Sequence, residues 1–313
     1  MKGIILAGGK GSRLYPSTIA VSKQLLPVFD KPLIYYPLST MMLAGVRDIL
    51  LICNPEHTSQ FHNLLGDGSA FGVSINYAVQ SQPNGIPNAF LIGKHFLGDE
   101  DALLVLGDNI VFGNGLPKLL QSSIKVNNGC TIFTQHVSDP REFGVLTLDD
   151  AGYPSAIHEK PRSPKSNLAI TGIYAFANDA IKLSQDLKPS RRGETEIVDL
   201  INAYLRENRL SHVNFGRGFA WFDTGTNSAL LEASQFVETI ETRQGYKIAC
   251  PEEIALLNGW LDVDCLRQTI KVYPPNQYRN YLEGLVNNLE KNHKNIDAGM
   301  GIKKHWPDLH IRH

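Results

Sequence analysis

The first thirteen residues, MKGIILAGGKGSR, constrain the fold more than any other stretch of this chain. Lys2 to Ala7 is an apolar run of strand length, and the glycines at 8, 9 and 11 interrupt both helix and strand. The run must therefore end in a tight turn whose backbone can come close to a ligand. A helix opened by Pro32 in its first turn is expected next. The rhythm then repeats, with strands at Asp48 to Cys53, Val73 to Val79 and Ala102 to Leu106, and helices at Glu56 to Leu65 and Pro87 to Phe96. Such alternation predicts an α/β fold built on a doubly wound, mostly parallel, Rossmann-like sheet. After Gly129 the segments Cys130 to Val137, Phe143 to Leu148, Ser155 to His158 and Ala169 to Phe176 read as strands of a mixed sheet. From Thr226 the chain reads as helices, with Leu230, Leu231, Phe236, Val237 and Ile240 as packing residues. The expected organisation is a core over 1–225 with halves at about 1–128 and 129–225, a helical region over 226–290, and a basic, histidine-rich tail over 291–313 of unassigned role.

Charge removes several classes of partner. Thirty basic against thirty-one acidic residues leave a formal charge of -1, so no global field draws the chain to nucleic acid or an anionic membrane, and any anion must be held locally. Cys53, Cys130, Cys250 and Cys265 stand far apart with no CxxC pair. They read as buried thiols in a reducing cytoplasm rather than as a zinc site or disulfide framework. The N-terminal apolar run is too short for a signal peptide or a membrane span.

The loop Gly8-Gly9-Lys10-Gly11-Ser12-Arg13 fits neither of two common phosphate motifs. A P-loop requires Ser or Thr after its Gly-Lys, where Gly11 stands. A dinucleotide fingerprint begun at Gly9 requires glycine where Leu14 stands. What remains is a three-glycine loop whose amides can approach an anion, with charge from Lys10 and Arg13. A ligand-free glycine turn would explain the loop equally well, but ligands of open α/β sheets collect at the carboxyl ends of strands, where this loop lies. Lys23 can reach the same phosphates as a point charge, and Arg13 offers a planar fork suited to pyrophosphate.

Two aspartates complete the pattern. Asp108 follows the apolar run Ala102 to Leu106, and Asp223 follows Trp221-Phe222 ahead of a helix. Either could be a turn residue or a helix cap. Together they suffice for Mg²⁺ when a triphosphate supplies the remaining ligands, provided that strand ends remote in sequence converge at the top of a parallel sheet.

Strung together, GIILAGGKGSRLYP, SKQLLPVFDKPLIYYPLSTMMLAG, LGDGS, VLGDN, FGV, EKPRSPKSN, TGIYAF, RGETEI, GRGFAWFDTGT and CPEEIA closely resemble the glucose-1-phosphate thymidylyltransferases. The resemblance spans residues 3 to 235 in the family's order, with CPEEIA beyond. It implies a Mg²⁺-dependent transfer from dTTP to glucose 1-phosphate, giving dTDP-glucose for deoxysugar pathways such as that of dTDP-rhamnose. Carried onto this chain, it implies that Gly8, Gly9, Gly11, Ser12 and Arg13 hold the triphosphate. Lys23 would contact the reacting phosphates with Gln24 close by, and Gln80 and the backbone at Gly85 would read thymine. Asp108 and Asp223 would hold the metal, Asn109, Gly144, Glu159 and Ile170 would face the sugar, and Lys160 would pair with its phosphate. Glu159 and Lys160 are adjacent, so both reach one ligand only if the strand bulges or twists.

Arg13, Lys23 and Lys160 are the expected catalytic cations, neutralising charge during direct in-line attack by an oxygen that is already anionic. The sequence departs from the family with His158 where glutamate is usual, Phe143 where tyrosine is usual, and Pro87 in the Gly85 to Ala89 loop. These changes touch the sugar side, so another hexose 1-phosphate is the alternative substrate. An oxidoreductase lacks its fingerprint here, a glycosyltransferase has no use for the Arg13 and Lys23 pair, and the two aspartates speak against a non-catalytic sugar-nucleotide-binding subunit. The family also implies a homotetramer with an allosteric nucleotide site between subunits, to which Arg217, Glu253 and Ile254 match. Leu257 stands where a basic residue is common, so feedback inhibition by a dTDP-sugar is expected to be weak.

Overall fold

The computed structural model describes residues 1–190 and 193–297, with backbone only over 291–297. The N-terminal half runs β1 (Lys2–Ala7), β2 (Pro27–Val28), β3 (Lys31–Pro32), α1 (Tyr35–Leu43), β4 (Asp48–Cys53), α2 (Thr58–Leu65), β5 (Ser74–Val79), α3 (Asn88–Ile92), α4 (Lys94–Leu97), β6 (Ala102–Leu106), β7 (Asn109–Gly113) and α5 (Leu116–Lys125). Then come β8 (Cys130–His136), β9 (Gly144–Leu148), β10 (Pro154–Glu159), β11 (Leu168–Phe176), α6 (Ala180–Gln185), α7 (Ile197–Arg206), β12 (Leu210–Asn214) and β13 (Phe219–Asp223). The chain closes with α8 (Asn227–Gln244), α9 (Pro251–Leu257), α10 (Val263–Val272) and α11 (Gln277–Asp297).

One large sheet has the order β10-β9-β11-β6-β1-β4-β5, with β8 and β12 continuing from the other edge of β11. The quartet β6-β1-β4-β5 is parallel, and β11 joins it antiparallel. Period-2 alternation splits the core between the faces. Ile5, Leu51 and Val105 pack on one side with Leu38 and Met41 of α1. Ile4, Leu50 and Leu104 pack on the other with Phe90, Leu200 and Tyr204. That is the doubly wound arrangement expected.

Several expectations at element ends are corrected. Pro32 does not open a helix: Lys31–Pro32 pairs with Pro27–Val28 as a small ribbon, and α1 starts at Tyr35 with Pro37 in its first turn. The helix expected over Pro87 to Phe96 breaks at Gly93, where a Cβ would sit 3.0 Å from the Ala89 carbonyl and 3.1 Å from Ile4. Leu231 is 59% exposed rather than packed, on the outer side of α8. Cys265 is exposed near the start of α10, whereas Cys53, Cys130 and Cys250 are buried. Helix α11 runs through the boundary expected at 290, and residues 298–313 of the expected tail lie outside the described residues. Among the described residues no helix is long and apolar enough to cross a membrane.

The position of the site is set by a change of partner along β11. Leu168 and Ala169 pair with β9, whereas Ile173 to Phe176 pair with β6, and the register against β8 shifts between Ile170 and Tyr174. The interval at Ile170 to Gly172 is left without a ladder neighbour on that edge, and the candidate site opens beside it.

Candidate active site

A cleft of about 250 Å³ is lined by Arg13, Gly85, Asp108, Asn109, Gly144, Glu159, Lys160, Ile170 and Asp223, all singled out from sequence. A smaller hollow is bordered by Gly9, Lys10, Asn54, Glu56 and Gln80. Gln80 Nε2 donates to the Gly85 carbonyl at 3.5 Å, linking the two groups.

The two aspartates do converge, though by a route the sequence reading did not anticipate. Asp108 lies between β6 and β7, and β13 runs antiparallel to β7 in a separate two-stranded ribbon that sets Asp223 opposite Asn109. Asp223 therefore arrives on a ribbon above the parallel sheet, not at the end of one of its strands. It is not a helix cap either: Thr226 caps α8, its hydroxyl accepting from the Ala229 amide at 3.2 Å. Asp223 Oδ1 is buried without a hydrogen-bond partner. Burial and the charge of Asp108 raise the Asp223 carboxyl above its ordinary value, against the pull of Lys23 and Arg13. Burial also acts to raise Asp108, but there the ion pair with Lys23 and the Asn109 amide prevail and hold it low. An orphaned carboxylate oxygen beside a second carboxylate is a hard-oxygen donor set of the kind that suits a divalent cation. Among the described residues no group of three or more His, Cys, Asp and Glu could hold a metal, so the pair would need oxygens from a ligand to complete its coordination.

In the glycine loop, Gly9 and Gly11 have positive φ, and a Cβ at Gly11 would lie 2.9 Å from Thr18. A Cβ on Gly8 would meet Gln80 Oε1 at 3.0 Å, so the loop lies close against Gln80 there. Asn54 clamps Gly9 from both sides, accepting from its amide at 3.3 Å and donating to its carbonyl at 3.0 Å. Ser12 and Arg13 are exposed in the 3-10 turn that follows. Gln24 is buried and accepts from the Ser22 hydroxyl at 2.6 Å. Its packing against Gly107, where a Cβ would stand 3.0 Å away, supports the turn that carries Asp108.

On the opposite wall, Glu159 ends β10 and Lys160 has φ +42, so strand alternation stops between them and both side chains line the cleft. The Lys160 amide donates to the Phe143 carbonyl at 3.0 Å, which fixes this turn. Asn109 is 3% exposed, and its side-chain oxygen accepts from Trp221 Nε1 at 2.6 Å and the Gly172 amide at 3.1 Å. Its polar atoms thus hold the Asp108 turn to β13 and β11 as well as bordering the cavity.

The comparisons with known proteins bear on the same residues. The nucleotidyl transferase family model matches residues 2–240. A glucose-1-phosphate thymidylyltransferase of Neisseria meningitidis is 51% identical over 286 residues, covering 91% of this chain and 99% of that protein. One from Xanthomonas campestris is 50% identical over 285 residues, covering 91% and 97%. This chain belongs to the nucleotidyl transferase family, among the glucose-1-phosphate thymidylyltransferases. A Bacillus anthracis structure assigned to the same enzyme, in complex with a sucrose, superposes with a TM-score of 0.70 at 38% identity, covering 75% of this chain and 94% of its own. A UDP-glucose pyrophosphorylase complexed with UDP-glucose shares the fold, with a TM-score of 0.67 at 24% identity over 76% and 98% of the two chains. As a nucleotidyltransferase, the enzyme joins a nucleoside triphosphate to a sugar 1-phosphate.

Within this transferase, the residues matched to a regulatory site lie apart from the cleft. Arg217 is exposed in the turn before β13, whereas Glu253 and Ile254 are buried on α9. Glu253 accepts from Tyr281 of α11 at 2.8 Å. Sequence reasoning missed Trp221, Tyr174, Glu142 and the run Glu194 to Val198 as cleft residues, and Asn54 as the clamp on the loop. RGETEI was the available signal for the run. No spacing marks Asn54, whose role depends on a backbone it meets forty-five residues away.

Proposed function

We propose that this enzyme transfers the thymidylyl group of dTTP to glucose 1-phosphate, giving dTDP-glucose and pyrophosphate for deoxysugar biosynthesis. The observation that carries the reading is the buried, unpartnered Oδ1 of Asp223 next to Asp108, in a cleft shared by Arg13 and Lys160. Arg13 binds the departing pyrophosphate with its planar fork. Lys23, paired with Asp108, presents its ammonium to the reacting phosphates, and Lys160 draws the sugar phosphate toward them. The attacking phosphate oxygen is anionic at neutral pH, so no residue needs to act as a base or to form a covalent intermediate. Asp108 and Asp223 would hold Mg²⁺, which supplies charge neutralisation on the phosphates when bound. Gln80, with both a donor and an acceptor, suits the edge of thymine, while Glu159, Gly144 and Ile170 border the sugar.

In the same reading the enzyme is a cytoplasmic homotetramer, and a dTDP-sugar binding between subunits near Arg217 inhibits it weakly, because Leu257 supplies no charge. Inhibition curves for wild type and Leu257→Arg test this: tight inhibition of the wild type, unchanged by the substitution, would overturn it. The central test is pyrophosphate release across a matrix of nucleoside triphosphates and sugar 1-phosphates. dTTP with glucose 1-phosphate is expected to be the best pair, with UTP weaker than dTTP. A purine triphosphate or another hexose 1-phosphate in first place would replace the corresponding half of the assignment.

A further inference from the structure

The cleft wall contains a contact between its two halves that the chemistry above does not use. Asn84, in the loop after Gln80, turns its carbonyl toward Thr195, which donates to it from its amide at 2.9 Å and from Oγ1 at 2.8 Å. The next residue, Gly85, forms a parallel bridge with Thr195 at φ +101, and a Cβ there would lie 2.0 Å from the Thr195 carbonyl oxygen. An approach this close admits only glycine. On one side the contact continues through the Gly85 carbonyl to Gln80, which lies against Gly8 of the glycine loop. On the other side it continues into Glu194 and Glu196, which line the cleft, and into α7. Two segments without regular structure, both bordering the cavity, are thus fastened to each other near Thr195.

We infer that Thr195 is a positioning residue that straps the loop after Gln80 to the acceptor wall, so that nucleotide and sugar phosphate each promote the other's binding. The inference rests on the substrate sides assigned above. A ligand that settles one segment in its bound position also settles the other through Asn84 and Gly85, so the second ligand finds its wall already placed. Such coupling is reciprocal: whichever ligand binds first raises the affinity for the second by the same factor.

Equilibrium titration tests this, using the substrate pair chosen by the pyrophosphate-release matrix. A wrong substrate assignment therefore shows in the matrix, and a wrong strap shows in the titration. The sugar 1-phosphate is titrated into the enzyme with and without a saturating, non-hydrolysable α,β-methylene analogue of the triphosphate. In the wild type the analogue is expected to tighten sugar-phosphate binding. Thr195→Val removes the hydroxyl donor and keeps the shape, and is expected to lose roughly threefold to tenfold of that enhancement, the worth of one hydrogen bond. Thr195→Ser, which restores the donor, is expected to keep it. Gly85→Ala, which forces the segments apart from the other side, is expected to lose it as well. Equal enhancement in Thr195→Val and wild type, or none in the wild type, overturns the inference.

Discussion

Thr224 closes over Asp108, donating both its amide at 3.1 Å and its hydroxyl at 2.8 Å to the Asp108 carbonyl. With Asp223 in register opposite Asn109, this clip fixes the spacing of two carboxylates that are 115 positions apart in the chain. Trp221 adds a further tie through Asn109, whose amide in turn donates to Asp108 Oδ1 at 3.1 Å. The protein thus brings two carboxylates together with Lys23 ion-paired to Asp108, and burial first and the charge of Asp108 second raise the carboxyl of Asp223.

If the clip orients the metal ligands, Thr224→Val should weaken divalent-cation binding by roughly tenfold, the lower end of what outer-shell changes cost. Thr224→Ser should retain most of the affinity. The check is the Mg²⁺ concentration for half-maximal pyrophosphate release, with circular dichroism to confirm folding. An unchanged midpoint in the valine variant would show that the clip is dispensable.

The two aspartates should respond oppositely in stability and alike in activity. Because the folded state raises the Asp223 carboxyl, ionising it opposes folding, and that loss of stability grows as pH rises past the ordinary carboxylate range. Asp223→Asn should therefore melt no lower than wild type at neutral pH without divalent cations. Asp108 is held low by Lys23, so its contribution is present above the ordinary range and disappears as pH falls. Asp108→Asn leaves Lys23 half-buried without its partner and should melt lower. Both variants should lose about a hundredfold or more in turnover. Thermal scans at several pH values, paired with the release assay, decide the matter, and a lower melting point for Asp223→Asn would contradict the argument.

The cations divide by the step they serve. Arg13→Ala and Lys23→Ala should lower kcat by roughly a hundredfold, whereas Lys160→Ala should act mainly on KM for the sugar phosphate. Steady-state kinetics with each substrate varied separates these effects. A Lys23→Ala variant altered only in KM for the sugar phosphate would remove Lys23 from the reacting phosphates.

What was legible in the sequence was what local pattern encodes. The apolar run into Gly8-Gly9, the alternation through Leu106 and the two aspartates after apolar residues all carry their own signal, because a buried strand and a glycine turn leave marks within a few residues. The ribbon that delivers Asp223 left no such mark, since β7 and β13 find each other across more than a hundred residues. Lys160 illustrates the same limit. Its sequence neighbours suggest plain alternation with Glu159, and only the contact with Phe143 and the positive φ put both side chains on one wall. Gln24 shows it too: nothing in its sequence neighbours marks that it is buried and packed against Gly107.

The C-terminal helices carry their own pH dependence. Glu253 is 5% exposed on α9, and burial raises its carboxyl from an ordinary 4.5 to about 7. The Tyr281 hydroxyl opposes that rise, and the nearby carboxylates of Glu252 and Glu241 add to it. A folded-state value above the unfolded one means that the folded chain binds the proton more tightly. The stabilisation is complete below 4.5 and is lost as pH climbs to about 7, a difference of roughly 3 kcal/mol for a change of this size. Glu253→Gln keeps an acceptor for Tyr281 and cannot ionise, so its unfolding free energy should vary less over this window and exceed that of the wild type above it. Tyr281→Phe removes a hydroxyl that favours the ionised form, so stability should fall more steeply with pH than in the wild type. Urea unfolding of the three proteins across the window, followed by tryptophan fluorescence, to which Trp260, packed against Gly72 after α9, contributes, supplies the test. Parallel pH profiles for wild type and Glu253→Gln would show that Glu253 does not titrate in this range.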